Sequence, residues 1–175
     1  AQDDYADKEA AIQRLVDAGD APALAVLQAL DDDAVVATSS GQVLLQSGDR
    51  FTDAVTGRQV PDSVGSEADP VSLNNRLRGL VSGGLAAARL ASPDLAVRQA
   101  AVDALLQSPD PAFKKQIDAA RDREKDASIK ERLDTLWAMA SLQDPDAALR
   151  YEAVRLVAAR NDLQMRELLV PLVGR

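Results

Sequence analysis

Ser92-Pro93-Asp94-Leu95-Ala96-Val97-Arg98-Gln99-Ala100-Ala101-Val102 returns fifty-two residues later as Asp144-Pro145-Asp146-Ala147-Ala148-Leu149-Arg150-Tyr151-Glu152-Ala153-Val154. The same shift carries outward without a gap. It sets Leu77-Arg78 on Ile129-Lys130, Leu85 on Trp137, Leu90 on Leu142, Asp110 on Asp162 and Phe113 on Met165. A period of this length is the mark of repeated supersecondary units that share one core. It predicts stacked helices in a chain whose job is to present a surface.

Each unit reads as three helices joined by short turns. In the first copy, Leu73, Leu77, Leu80, Val81 and Leu85 follow helical spacing over 71–90. Gly83-Gly84 within that run marks a close helix approach. Ser92-Pro93-Asp94 ends this helix and caps the next, whose apolar stripe is Val97, Ala101, Leu105 and Leu106. Arg98 lies four residues after Asp94 and is spaced to pair with it. After Ser108-Pro109-Asp110-Pro111, Phe113, Ile117 and Ala120 face inward from a third helix. The second copy predicts helices over 127–142, 146–159 and 162–173, the last with Leu168, Leu169 and Leu172 inward. A partial copy sits ninety residues before the first, with Asp4 on Asp94, Lys8 on Arg98, Ile12 on Val102, Asp20 on Asp110 and Leu27 on Ile117.

The Asp-x-x-Val-Arg-x-x-Ala-Val pattern resembles HEAT-like repeats. The fold class expected is therefore all-α: a right-handed HEAT-like helical-repeat solenoid of three-helix units. It is read as one domain, residues 1–175. The domain has a partial repeat at 1–31, a small β-hairpin insertion at 32–70, and repeats at 71–123 and 124–175. The insertion is where the helical pattern breaks. Val35-Val36-Ala37-Thr38 and Gln42-Val43-Leu44-Leu45 read as strands around Ser40-Gly41, and Phe51-Thr52 and Gln59-Val60 as a second pair around Thr56-Gly57. Gly48 and Gly65 read as further punctuation.

Composition narrows the chemistry. Hydrophobic residues are 46% of the chain but aromatics only 3%, so the core is built of Ala, Leu and Val and suits no deep aromatic pocket. A net charge of -8 disfavours nucleic acid, whose binding needs clustered cations. With no Cys and no His, the thiol nucleophile, the imidazole base and the usual zinc ligands are missing. No run of about eighteen apolar residues is present to span a membrane. The start, Ala1-Gln2-Asp3-Asp4, lacks an initiator Met. It reads as the mature end left by signal-peptide cleavage or as the boundary of an excised piece.

Carboxylate pairs such as Asp3-Asp4 and Asp144 with Asp146 fall at predicted helix ends, where capping accounts for them. Asp31-Asp32-Asp33 lacks the Gly and distal Glu of a calcium loop. Ser39-Ser40-Gly41 has no His partner, and Ser82-Gly83-Gly84 has no following Lys to make a phosphate cradle. No catalytic, metal or cofactor residue is assigned. Trp137 is read as core, and Lys114, Lys115, Arg121, Arg123, Lys125, Lys130 and Arg132 as a solvated face. Asn74, Asn75, Arg76 and Arg78, just after the insertion, have two readings: a helix start that pins the insertion, or a contact patch for a protein partner.

The order of parts resembles the extracytoplasmic amino-terminal region of urea-type ABC transporter permeases, relatives of the branched-chain amino-acid permeases. The resemblance covers essentially the whole chain. It rests on Gly19-Asp20-Ala21-Pro22-Ala23-Leu24, Asp53-Ala54-Val55-Thr56-Gly57, Asn74-Asn75-Arg76-Leu77-Arg78 and Ser92-Pro93-Asp94-Leu95-Ala96-Val97-Arg98. It implies a non-enzymatic periplasmic interaction domain of a permease for urea or short amides. The implied partners are the solute-binding protein or the protein's own transmembrane part, through which alone the domain is attached to the membrane. Two other readings stay open from the residues: a free-standing HEAT-like adaptor, and a hydrolase using carboxylates.

Overall fold

Helix boundaries in this chain follow from its caps. The structure, a computed structural model, describes residues 2–159, with side chains from Tyr5 onward. Where the sequence predicts one domain, the chain divides into two compact units, Ala1–Ala88 and Arg89–Arg175.

In the first unit, α1 (Gln2–Ala18) and α2 (Ala21–Asp31) pack as a helical hairpin. Gly19 adopts φ +60° and its N–H returns to the Leu15 carbonyl, which ends α1. Asp20 then caps α2 by accepting from the Ala23 N–H at 2.9 Å. Ile12, Val16, Ala23, Leu27 and Leu30 are buried between the two. The far end of α2 closes with paired bonds from Asp33 N to Leu30 O and from Ala34 N to Ala29 O. That closure puts Asp33 at φ 53°, a left-handed position usually given to Gly.

The segment after α2 overturns the all-α expectation. Residues 35–70 form a five-stranded antiparallel sheet in the order β4-β3-β2-β1-β5, not a small hairpin. Its strands are β1 (Val35–Ala37), β2 (Val43–Ser47), β3 (Arg50–Asp53), β4 (Gln59–Val60) and β5 (Asp69–Pro70), with a short helix α3 (Asp62–Ser66) before β5. The two hairpins read from sequence are present, with Val36 opposite Leu44 and Phe51 opposite Val60. They merge because Gly48-Asp49 is a two-residue turn between β2 and β3, with Gly48 at φ +60° as its first central residue. One sheet then buries Val36, Leu44 and Phe51 as a cluster, backed by Val60 and Ala68. α2 packs on β1 and β2, and α3 on β3.

α3 lies so close to the sheet that a Cβ at Gly65 would fall on the Phe51 ring. Gly65→Ala is therefore expected to destabilise the first unit by about 1–3 kcal/mol. Urea unfolding followed by circular dichroism checks this; a change within about 0.5 kcal/mol would show that the ring moves aside freely.

α4 (Asn75–Arg89) completes the unit and buries Leu77, Leu80, Val81 and Leu85. Gly84 meets Val16 of α1 so closely that a Cβ there would clash with the valine methyl, which explains the glycine in mid-helix.

The second unit contains α5 (Leu95–Gln107), a 3-10 turn (Pro111–Phe113), α6 (Lys114–Arg123), α7 (Ala127–Ser141) and α8 (Ala147–Ala159). α7 begins and ends fifty-two residues after α4, and α8 begins fifty-two residues after α5. The buried side chains match too: Leu77 with Ile129, Leu85 with Trp137, Ala101 with Ala153, and Leu105 with Val157. Asp94, Asp110, Asp126 and Asp146 each accept from a backbone N–H at the start of the next helix or turn. The predicted helix over 162–173, with Leu168, Leu169 and Leu172, lies outside the described residues.

Three local expectations need correction. Val97 is 37% exposed, because the buried face of α5 runs through Ala101, Val102 and Leu105 and starts one turn later than the spacing predicts. Arg98 does not pair with Asp94: it reaches back to the carbonyls of Ser92 and Pro93 and across to Glu124. The row of cations from Lys114 is not a uniformly solvated face. Arg121 stacks at 4.4 Å and Lys114 at 5.8 Å from the centroid of the buried Trp137 ring. Arg121 also holds Asp134 at 2.8 Å, Lys114 bridges Asp118 and Asp144, and Arg132 pairs with Asp103. Planar Arg covers an indole face while its N–H groups keep their carboxylate, so sequence alternation alone does not place it in solvent.

Candidate functional site

The sheet of the first unit is fastened to its helices by the residues that stand out in the sequence after the insertion. Asn74 is the cap of α4, its Oδ1 accepting from the Leu77 N–H at 2.9 Å. Arg76 pairs with Glu9 of α1 at 3.0 Å. Arg78 grips Asp33 with two N–H groups at 2.8 and 3.2 Å. Asn75 opens α4 and is exposed. Lys8 Nζ donates to the Ser72 carbonyl at 3.3 Å. The Arg78 pair thus ties the point where the chain enters the insertion, and Lys8 ties the point where it leaves. The Asp33 hydrogen bonds and charge raise the Arg78 pKa above its ordinary value. Both guanidinium groups remain about half exposed, so Arg78 pins the insertion and Arg76 holds α4 to α1 while both still face solvent.

The second feature is the turn after β3, built on Asp53. Asp53 is buried at the end of β3. Its Oδ2 accepts from Gln42 Nε2 at 2.8 Å, and its Oδ1 from the N–H groups of Val55 and Thr56 and the Thr56 hydroxyl. Those donors, Gln42 first and then Thr56, hold its carboxyl down at about 2. Gly57 completes the turn at φ +67°. The result displays Val55 at 90% exposure, next to Ala54, whose N–H bonds the carbonyl of partly exposed Val43. Sequence reasoning missed Val55. Its signal was an Asp followed two and three residues later by Val-Thr, the donor spacing of an Asx turn.

Among the described residues, surface depressions lie elsewhere as well, two of which are lined by polar side chains. One, of about 270 Å³, is lined by Thr38, Ser39, Ser40, Ser63, Val64 and Glu67. Thr38 Oγ1 is already bonded to Ser40 Oγ at 2.9 Å and to the Gln42 N–H, so the Thr38 and Ser40 hydroxyls brace the β1–β2 turn. The other, about 250 Å³ in the second unit, lies among Leu90, Arg98, Ala120, Arg123, Glu124 and Lys125. Its wall is a clasp. Arg98 Nε and Nη2 grip the two Glu124 oxygens at 2.8 and 3.2 Å, while Glu124 Oε1 also accepts from the N–H groups of Lys125 and Asp126. Arg98, then those two N–H groups, hold the Glu124 carboxyl at about 2, against the opposing effect of burial.

Of the acidic triplet, Asp33 is taken by Arg78 and Asp32 by Gln28. Among the described residues no helix is long and apolar enough to cross a membrane, and no three acidic side chains gather as metal ligands would. No known protein family, curated protein or solved structure matches the chain.

Proposed function

We propose that this chain is a non-catalytic interaction domain, working in the periplasm as part of an ABC transporter permease for urea or short amides. Its partner on this reading is the solute-binding protein or the transmembrane part of the same permease. The observation that carries the interaction reading is the Asp53 turn: a buried carboxylate uses its lone pairs to hold one fully displayed valine in place. A preorganised apolar knob loses little conformational entropy when it enters a partner's pocket. The permease assignment rests on the sequence resemblance, whose segments Asp53–Gly57 and Asn74–Arg78 are the ones that build the turn and fasten the sheet.

The carboxylates of Asp53 and Glu124 are held down by the donors that engage them, and each serves to fix a turn.

The test is uptake by the full transporter. Val55→Lys is expected to lower solute uptake and binding-protein association while leaving folding unchanged, since the side chain touches almost nothing. The double change Arg76→Ala, Arg78→Ala breaks the Glu9 and Asp33 pairs, whose half-exposed partners contribute little to stability. It is expected to leave the chain folded and to weaken association as well. Normal uptake and association in both variants, stably expressed, would remove the insertion from the contact surface.

A further inference from the structure

The depression beside the Arg98–Glu124 clasp is lined by residues of the second unit and carries cations that the packing does not use. Arg98 is engaged: Nε and Nη2 hold Glu124, and Nη1 holds the carbonyls of Ser92 and Pro93. Glu124 is neutralised by the same contacts. Arg123 and Lys125 differ from Arg98. Arg123 Nε donates to the Ala119 carbonyl at 2.8 Å, which fixes the guanidinium and leaves Nη1 and Nη2 with no acceptor among the described residues. Lys125 Nζ meets no carboxylate among them either. Both side chains are exposed.

The surroundings suit an anion. Ser92 Oγ accepts from the Asp94 N–H at 3.2 Å, so its own proton is left to donate. In the second repeat Asp144 stands at this position and accepts from the Asp146 N–H in the same way, so the fold does not require a hydroxyl there. The carbonyls at the end of α6 would repel an anion, but they are covered. Ala119 O accepts from Arg123, Ala120 O from the Glu124 N–H, and Arg121 O from Lys130 Nζ at 3.0 Å. Leu90 and Ala120, both buried, supply an apolar floor. The volume, about 250 Å³, is below the roughly 300–1,000 Å³ of sites for drug-sized ligands, which sets the occupant at a few carbons.

We propose that this depression binds a small organic carboxylate. Its two oxygens take the Arg123 donor pair, with Lys125 and the Ser92 hydroxyl beside them, and its short hydrocarbon chain lies on Leu90 and Ala120. A planar guanidinium matches a carboxylate bidentately. The apolar floor favours a ligand with carbon to bury over a bare inorganic ion. The site belongs to the second unit and does not rest on the insertion or on the permease reading.

The probe is butyrate, added at constant ionic strength to the intact chain labelled with nitrogen-15. The Arg123 Nε–H and Ser92 N–H resonances are expected to shift saturably, with half-saturation at roughly 10 mM or below. Butyramide, which keeps the chain and lacks the charge, is expected to leave them in place. Inorganic phosphate is expected to need at least about fivefold more than butyrate, since it has no carbon to bury. Arg123→Lys keeps the charge and loses the fork, and is expected to weaken butyrate binding about fivefold or more, read at the Ser92 N–H. Arg123 is exposed, so the variant is expected to stay folded, which circular dichroism checks. Resonances that do not move up to roughly 50 mM butyrate would overturn the proposal. So would phosphate binding as tightly as butyrate, the mark of surface cations attracting any anion, or equal butyrate binding by Arg123→Lys.

Discussion

Ala101→Asp is expected to unfold the second unit, or to cost it roughly 4 kcal/mol or more. Ala101 is 3% exposed on α5, on the face that packs against α7, and its repeat counterpart Ala153 is fully buried. A methyl fits there because the helices approach closely. A carboxylate would lose its water, find no donor among Leu105, Val102 and their apolar neighbours, and need more room than a methyl. Lys125→Ala supplies the control. That side chain is exposed, so its removal is expected to change stability by about 0.5 kcal/mol or less. Urea titrations of the two variants, fitted with a common slope, measure the difference. Equal shifts would mean that the buried face of α5 is misassigned.

The second large effect is expected at Glu124. Glu124→Ala removes the partner of a guanidinium that is 19% exposed and leaves the Lys125 and Asp126 N–H groups without an acceptor. The expected loss is roughly 2–4 kcal/mol, near the lower end of what breaking a buried pair costs, since Arg98 keeps its two carbonyls and some water. The clasp is also pH-dependent. The folded carboxyl titrates at about 2, against an ordinary 4.5. Its contribution is complete above 4.5 and is lost as pH falls through 2, because the unfolded chain takes up the proton first. The stability gap between wild type and Glu124→Gln is therefore expected to narrow over that window and to stay constant above it. Asp53 titrates in the same acid range, but it belongs to the first unit and is unchanged in the variant, so the difference isolates Glu124. A gap that stays constant from neutral pH down to 2 would show that Arg98 does not depend on the charge of Glu124.

Much of the helical part was legible because its signals are local. Asp94 and Asp146 cap where the repeat places them, and the boundaries of α4 and α7 match through the same shift. Capping needs only a side-chain oxygen two or three residues from a free N–H. Apolar spacing on a helix likewise marks its buried face within a turn, which is also the size of the error at Val97. The two hairpins in the insertion were legible for the same reason, from alternation and Gly-bearing turns.

The candidate site was legible only in part. Asn74, Asn75, Arg76 and Arg78 stood out as residue types, but the partners of the two arginines, Glu9 and Asp33, lie sixty-seven and forty-five residues away. No spacing rule links them. Val55 looked like an ordinary loop residue until Asp53 was seen to gather Gln42, eleven residues back, into the same turn.

What the sequence alone determined is the period, the helix starts and the small-residue faces, since each depends on neighbours within a few residues. Tertiary structure decided whether two hairpins stay apart or join into one five-stranded sheet. It also decided which carboxylate each arginine holds, and that Arg121 covers Trp137 instead of facing water. The physical reason is range. Caps and periodicity are set within one turn of chain, whereas strand pairing, ion pairs and ring contacts join distant residues and form only where packing of the core brings them together.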